Sequence, residues 1–129
     1  MKTPALFTLS LAAVIASAVM PAHATKLPDA MQRQLVMLLQ AEIAPCWTMP
    51  AIDGKTPKPV TILVLLRKDG SLARTPSAVA LPQDREAEAL AASAIRAVER
   101  CAPFDGVARH PGVYERWREL RINFAPVAN

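Results

Sequence analysis

Two cysteines constrain this chain more than any other residues. Cys46 and Cys101 are the only ones present, and both follow an N-terminal segment that reads as an export signal. An even cysteine count in an exported protein predicts one disulfide. Pairing Cys46 with Cys101 closes a 55-residue loop. On the chain-entropy account this stabilises the fold by up to about 4 kcal/mol. For a small domain that is a large share of the total. The alternatives fare worse. There is no Cys-x-x-Cys pair of the kind redox proteins use. A zinc site wants four ligands, and His110 is the only histidine beyond the export segment. No metal and no cofactor are expected.

The export reading rests on residues 1–24. Lys2 supplies one early positive charge, residues 5–20 carry none, and Pro21 breaks the apolar run. Ala22-His23-Ala24 then places small residues where a signal peptidase reads, so cleavage is expected before Thr25. What remains, residues 25–129, has room for one domain. Its surplus positive charge is small and interleaved with acids, without the dense basic run that nucleic-acid binding favours. No nucleic-acid partner is expected. Nothing after the signal is long and apolar enough to span a membrane, so the expected location is the periplasm.

Periodicity gives the element order. Pro28 and Asp29 open a helix in which Met31, Leu35, Leu38, Leu39 and Ile43 recur on one face, and Pro45 ends it. Residues 48–59 hold three prolines and a glycine and read as a loop. Residues 60–66, VTILVLL, are short, apolar and β-branched. They predict a central strand, covered on both faces or on one face with a shielded second. Asp69-Gly70 signals a hairpin turn, and Leu72 to Ala80 is expected to return as a second strand, with Pro76 marking a bulge or an edge.

A second helix is expected from Asp84, its cap, with Ala87, Leu90, Ala91, Ala94, Ile95, Val98 and Cys101 as its buried stripe. Pro103 stops it. A loop through Gly106 and Pro111 follows, then a helical turn around Tyr114 and Trp117. A last strand is expected over Arg121 to Phe124, where polar and apolar residues alternate. Trp47 and Trp117 each adjoin a helix end and are expected to anchor the core. The predicted class is α+β, in the order α-β-β-α-β. Its three-stranded, at least partly antiparallel sheet carries helices on one face.

An enzyme is not expected. The chain has no Gly-x-Ser-x-Gly elbow and no glycine-rich phosphate loop. Ser71 is a turn residue and Ser93 lies within a helix. Asp105 and His110 share a loop without a nucleophile motif, and Glu86, Glu88, Glu115 and Glu119 read as solvated helix-surface charges rather than carboxylates in a cleft.

Four words in sequence carry a family resemblance: Ala44-Pro45-Cys46-Trp47, Asp69-Gly70-Ser71, Cys101-Ala102-Pro103-Phe104, and Tyr114 followed by Trp117. In that order they resemble the C-terminal domain of TolA, within the wider TonB/TolA C-terminal family. The resemblance runs from about Ala30 to Pro126. It implies a three-stranded antiparallel sheet with helices on one side; the expected departure from the family is a short exported form without its membrane anchor or stalk. It also implies a non-catalytic periplasmic binding module of the Tol-Pal type, with a protein partner such as TolB. Docking would occur by strand addition along the edge Arg121, Ile122, Asn123 and Phe124. A small periplasmic inhibitor or chaperone-like factor is the alternative. Open sheet edges also make a weak homodimer possible.

Overall fold

A computed structural model describes residues 29–126; the expected signal segment lies outside the described residues. Helix α1, Ala30–Ile43, starts where Asp29 accepts a hydrogen bond from the Gln32 amide at 2.8 Å. That bond satisfies one of the orphan N–H groups of the first turn. Asp29 also pairs with Arg116, fixing the start of α1 to the far end of the chain. The Gln32 N–H and then Arg116 hold its carboxyl below the usual aspartate value. A 3-10 turn, Ala44–Cys46, takes over at Pro45, whose ring cannot continue an α-helix.

Strand β1, Val60–Leu65, is the centre of a sheet with order β2-β1-β3. Both neighbours are antiparallel to it. Ile62, Val64 and the following Leu66 are buried, whereas Thr61, Leu63 and Leu65 are half-buried. The apolar run therefore serves one packed face, and the other face is half open. Of the two possibilities raised by the sequence, single-face coverage is the one found.

The returning strand is much shorter than residues 72–80 suggest. Strand β2 is only Ser77–Ala78, preceded by a lone bridge between Leu66 and Leu72. Between that bridge and the pairing of Leu63 with Ser77, β1 advances three residues and the returning chain five. Two extra residues lift off the sheet just before Pro76, which has no N–H to give to the ladder.

The turn itself depends on Gly70. Its φ is 83°, and its carbonyl accepts the Phe104 amide at 2.9 Å. A Cβ at this position would collide with the Phe104 carbonyl. Asp69 completes the turn by accepting from the Ser71 amide at 2.9 Å and from its hydroxyl.

Helix α2, Arg85–Cys101, is capped by Asp84, which accepts from the Ala87 amide at 2.7 Å. Glu86 and Glu88 in its first turn and Arg100 in its last complement the helix dipole. Its buried side is Leu90, Ala91, Ser93, Ala94, Ala97 and Val98. Ile95 is only partly covered, so the stripe sits slightly rotated from the expected one.

Two short helices follow, α3 at Asp105–Ala108 and α4 at Tyr114–Trp117. The first was expected to be loop, because Gly106 and Pro111 punctuate it. It forms because Glu42 on α1 accepts the Gly106 amide at 2.8 Å, a tertiary contact that local sequence does not reveal. Strand β3, Glu119–Phe124, starts two residues before the predicted Arg121.

The core lies between the inner sheet face and the helices. Leu35, Leu39 and Ile43 of α1 and Ala91, Ala94 and Val98 of α2 meet Ile62, Val64, Leu120, Ile122 and Phe124. Trp117 is fully buried, and its indole N–H donates to the His110 carbonyl at 2.8 Å. Met31 departs from the expected stripe: it is 44% exposed on the first turn of α1.

Gly70→Ala combines a left-handed backbone with a backbone collision. The expected loss in chemical denaturation is at least about 2 kcal/mol. A loss within 0.5 kcal/mol of zero, a roughly neutral surface value, would contradict this account of the turn.

Candidate functional site

Among the described residues, the last strand has one paired side and one side that no strand occupies. Its register with β1 runs from Val60 opposite Phe124 to Leu65 opposite Glu119. Leu66 donates to the Arg118 carbonyl at 2.8 Å, so the pair 66/118 is a hydrogen-bonded one. In an antiparallel ladder hydrogen-bonded pairs alternate with non-bonded ones. Leu120, Ile122 and Phe124 therefore direct N–H and C=O toward β1. Glu119, Arg121 and Asn123 direct theirs outward, where the described residues supply no strand. The other face of the ladder agrees: Thr61 and Leu65 accept from Val79 and Ala73, on the β2 side.

Side chains alternate out of phase with these backbone groups. Leu120, Ile122 and Phe124 are buried on the inner face, and Glu119, Arg121 and Asn123 are exposed on the outer one. Arg121 and Glu119 form an exposed ion pair at 3.5 Å. Such charges blunt an edge against indiscriminate pairing. The predicted edge Arg121, Ile122, Asn123, Phe124 thus divides in two. Arg121 and Asn123 turn their backbone groups away from β1, whereas Ile122 and Phe124 hold the strand against β1 and the core.

Beside the end of this edge lies an open apolar cleft of about 180 Å3. Gln40, Ile43 and Ala44 at the end of α1 form one wall, Ile122 to Ala125 another, and Trp47 closes the end. None of the lining side chains is charged.

Trp47 is held from three directions. Its indole N–H donates to the Ser93 hydroxyl at 3.1 Å, and Ser93 in turn donates to the Leu90 carbonyl at 2.7 Å. The ring meets Phe124 edge-on, with centroids 5.3 Å apart. The residue before it, Cys46, is bonded to Cys101 with Cα atoms 5.9 Å apart. The disulfide joins the end of α1 to the end of α2, and Arg100 adds a hydrogen bond to the Cys46 carbonyl at 3.4 Å. The expected pairing of Cys46 with Cys101 is the one found. Trp47, expected as a core anchor like Trp117, packs against the core but is only half-buried, in the wall of the cleft.

Three contributors had weak sequence signals. Ser93 looked like an ordinary helix residue; it is buried because it accepts from an indole 46 residues away. Gln40 and Ala44 lie beside the apolar stripe of α1, where periodicity marks them only as flank. His110 and Asp105 are exposed. Among the described residues no three of His, Cys, Asp and Glu gather as a metal site would require. No helix there is long and apolar enough to cross a membrane.

Because Cys46 fixes the neighbouring Trp47, a Cys46→Ser, Cys101→Ser variant is expected to lose up to about 4 kcal/mol of stability. Under native conditions its Trp47 indole N–H signal is expected to move while that of Trp117 stays. Coincident indole signals in variant and wild type would separate the disulfide from the cleft.

Among solved structures, the chain is similar to the solution NMR structure of TolAIII bound to a peptide derived from the N-terminus of TolB. The match has 20% sequence identity and a TM-score of 0.63, covering 84% of this chain and 85% of that one. At this identity the likeness establishes a TolA C-terminal-like fold. No curated protein matches the chain. A family model matches residues 30–108, more than half of the sequence, and the chain belongs to the family described as uncharacterised conserved protein UCP034077.

Proposed function

We propose that this protein is a non-catalytic binding module of the periplasm that takes an extended segment of another protein as a fourth strand along β3. The observation that carries this reading is the edge itself. Glu119, Arg121 and Asn123 present backbone groups that no described strand uses, beside an uncharged, aromatic-walled cleft. Strand addition uses both parts: backbone hydrogen bonds supply affinity, and pockets for alternate side chains supply selectivity.

The neighbouring fold gives the reading a partner class. TolAIII was solved with a peptide from the N-terminus of TolB. The partner proposed for this chain is accordingly a flexible segment of a TolB-type envelope protein. Residues 1–24 act as a cleaved export signal, and residues 25–129 form one domain. The Cys46–Cys101 bond suits an oxidising compartment.

Two experiments bear on this together. Isotope-labelled protein from Thr25 onward, oxidised, is titrated with the N-terminal peptide of TolB from the same organism. Saturable shifts are expected along residues 119–125 and at the Trp47 indole. Arg121→Pro then removes an outward N–H that no described strand uses, so the fold is expected to survive, as it does for prolines on sheet edges. Its affinity for the peptide is expected to fall at least tenfold. Absence of shifts at millimolar peptide, or full binding by Arg121→Pro, would overturn the reading.

A further inference from the structure

We infer that the segment docking on β3 is selected by a single large apolar side chain that sits opposite Ile122 and fills the cleft between Trp47, Phe124 and Ala44. This rests on the strand-addition reading above and specifies its ligand: an extended peptide with one aromatic or long aliphatic anchor, flanked on both sides by polar residues.

The register fixes where the anchor lies. Residues opposite each other on neighbouring strands project to the same face of the sheet. A ligand residue opposite Ile122 therefore points toward the helices, as Ile122 does, and meets the cleft lined by Ile122, Phe124 and Trp47. Ile122 spends its own backbone groups on β1. Toward an antiparallel newcomer it forms the non-hydrogen-bonded type of pair, in which side chains approach most closely. The ligand residues on either side lie opposite Arg121 and Asn123. They project to the outer face, beside exposed polar side chains, and favour polar character.

The cleft sets the chemistry of the anchor. Its lining carries no charge, so a charged anchor would lose hydration without gaining a partner. Among its lining residues the inward side-chain donors or acceptors are the Gln40 amide and the Trp47 indole, whose N–H is already given to Ser93; the Asn123 side chain projects to the outer face, beside Thr61. Its volume of about 180 Å3 compares with the roughly 150 Å3 of an apolar cavity able to hold benzene. One large side chain fits. The half-buried Trp47, held edge-on by the buried Phe124, offers ring surface to an aromatic anchor in the arrangements such rings prefer.

The test starts from a phage-displayed library of linear dodecapeptides selected on the oxidised protein, so that no ligand is assumed. The selected peptides are expected to share one aromatic or long aliphatic position between polar neighbours. Replacing that residue by Ala is expected to weaken binding at least tenfold. Ala44→Leu, a substitution at an exposed position that narrows the cleft, is expected to weaken the parent peptide equally while leaving the Ala-substituted peptide unaffected. Binding of the parent is also expected to shift the Trp47 indole signal and to leave that of Trp117 in place. Backbone N-methylation of the ligand residues beside the anchor is the separate arm for strand addition. If N-methylation abolishes binding but neither the anchor nor Ala44→Leu matters, the anchor inference is overturned and strand addition stands. If N-methylation has no effect, or the library yields no binder, both are overturned.

Discussion

The ladder between β1 and β3 is the interaction on which everything else depends. It joins residues 60–65 to residues 119–124, the most distant pairing in the sheet. By placing Ile62 beside Ile122 and Val64 beside Leu120 it creates the apolar face that α1 and α2 cover. A slip of one residue would turn Leu120, Ile122 and Phe124 toward water. The same register decides which backbone groups of β3 are spent and which are free. Core and edge are therefore consequences of one pairing: the backbone groups of even-numbered residues of β3 bind to β1, and those of odd-numbered ones point away from it. Tyr114 marks where the ladder ends: in the 66/118 pair its hydroxyl donates at 2.8 Å to the Leu66 carbonyl, while the Arg118 amide turns back to the Tyr114 carbonyl.

The disulfide acts on this arrangement at its end rather than at its centre. It ties the exit of α1 to the exit of α2 and so fixes the short link that carries Trp47. Trp47 then joins three separate elements: the 3-10 turn behind α1, Ser93 on α2 and Phe124 on β3. A half-buried indole with its polar atom satisfied internally leaves an apolar surface facing solvent. With the other tryptophan, Trp117, fully enclosed, that surface is where the proposed ligand side chain would gain most by losing water.

Much of the fold was legible in the sequence, because its signals are local and agree with one another. Asp29 and Asp84 cap the helices they appear to cap, Asp69-Gly70 turns the chain, and the cysteines pair. The departures occur where a long-range contact outweighs local propensity. Helix α3 exists because Glu42 reaches the Gly106 amide. Strand β2 shrinks because two residues bulge ahead of Pro76. The site was legible only in part. Alternation over Arg121 to Phe124 announces a strand, but which of its backbone groups face outward depends on the register with a strand some 60 residues earlier. The cleft is less visible still, since Gln40, Ala44, Trp47 and Phe124 come from separate stretches of sequence and none has a telltale spacing.

The alternation along β3 is the central claim, and amide hydrogen exchange measures it residue by residue. In the free protein the amides of Leu120, Ile122 and Phe124 should be protected and those of Arg121 and Asn123 should exchange rapidly. Addition of a docking peptide should slow Arg121 and Asn123 and change the others little. Uniform protection of residues 120–124 before any peptide is added, or unchanged exchange at Arg121 and Asn123 when peptide is bound, would contradict the account.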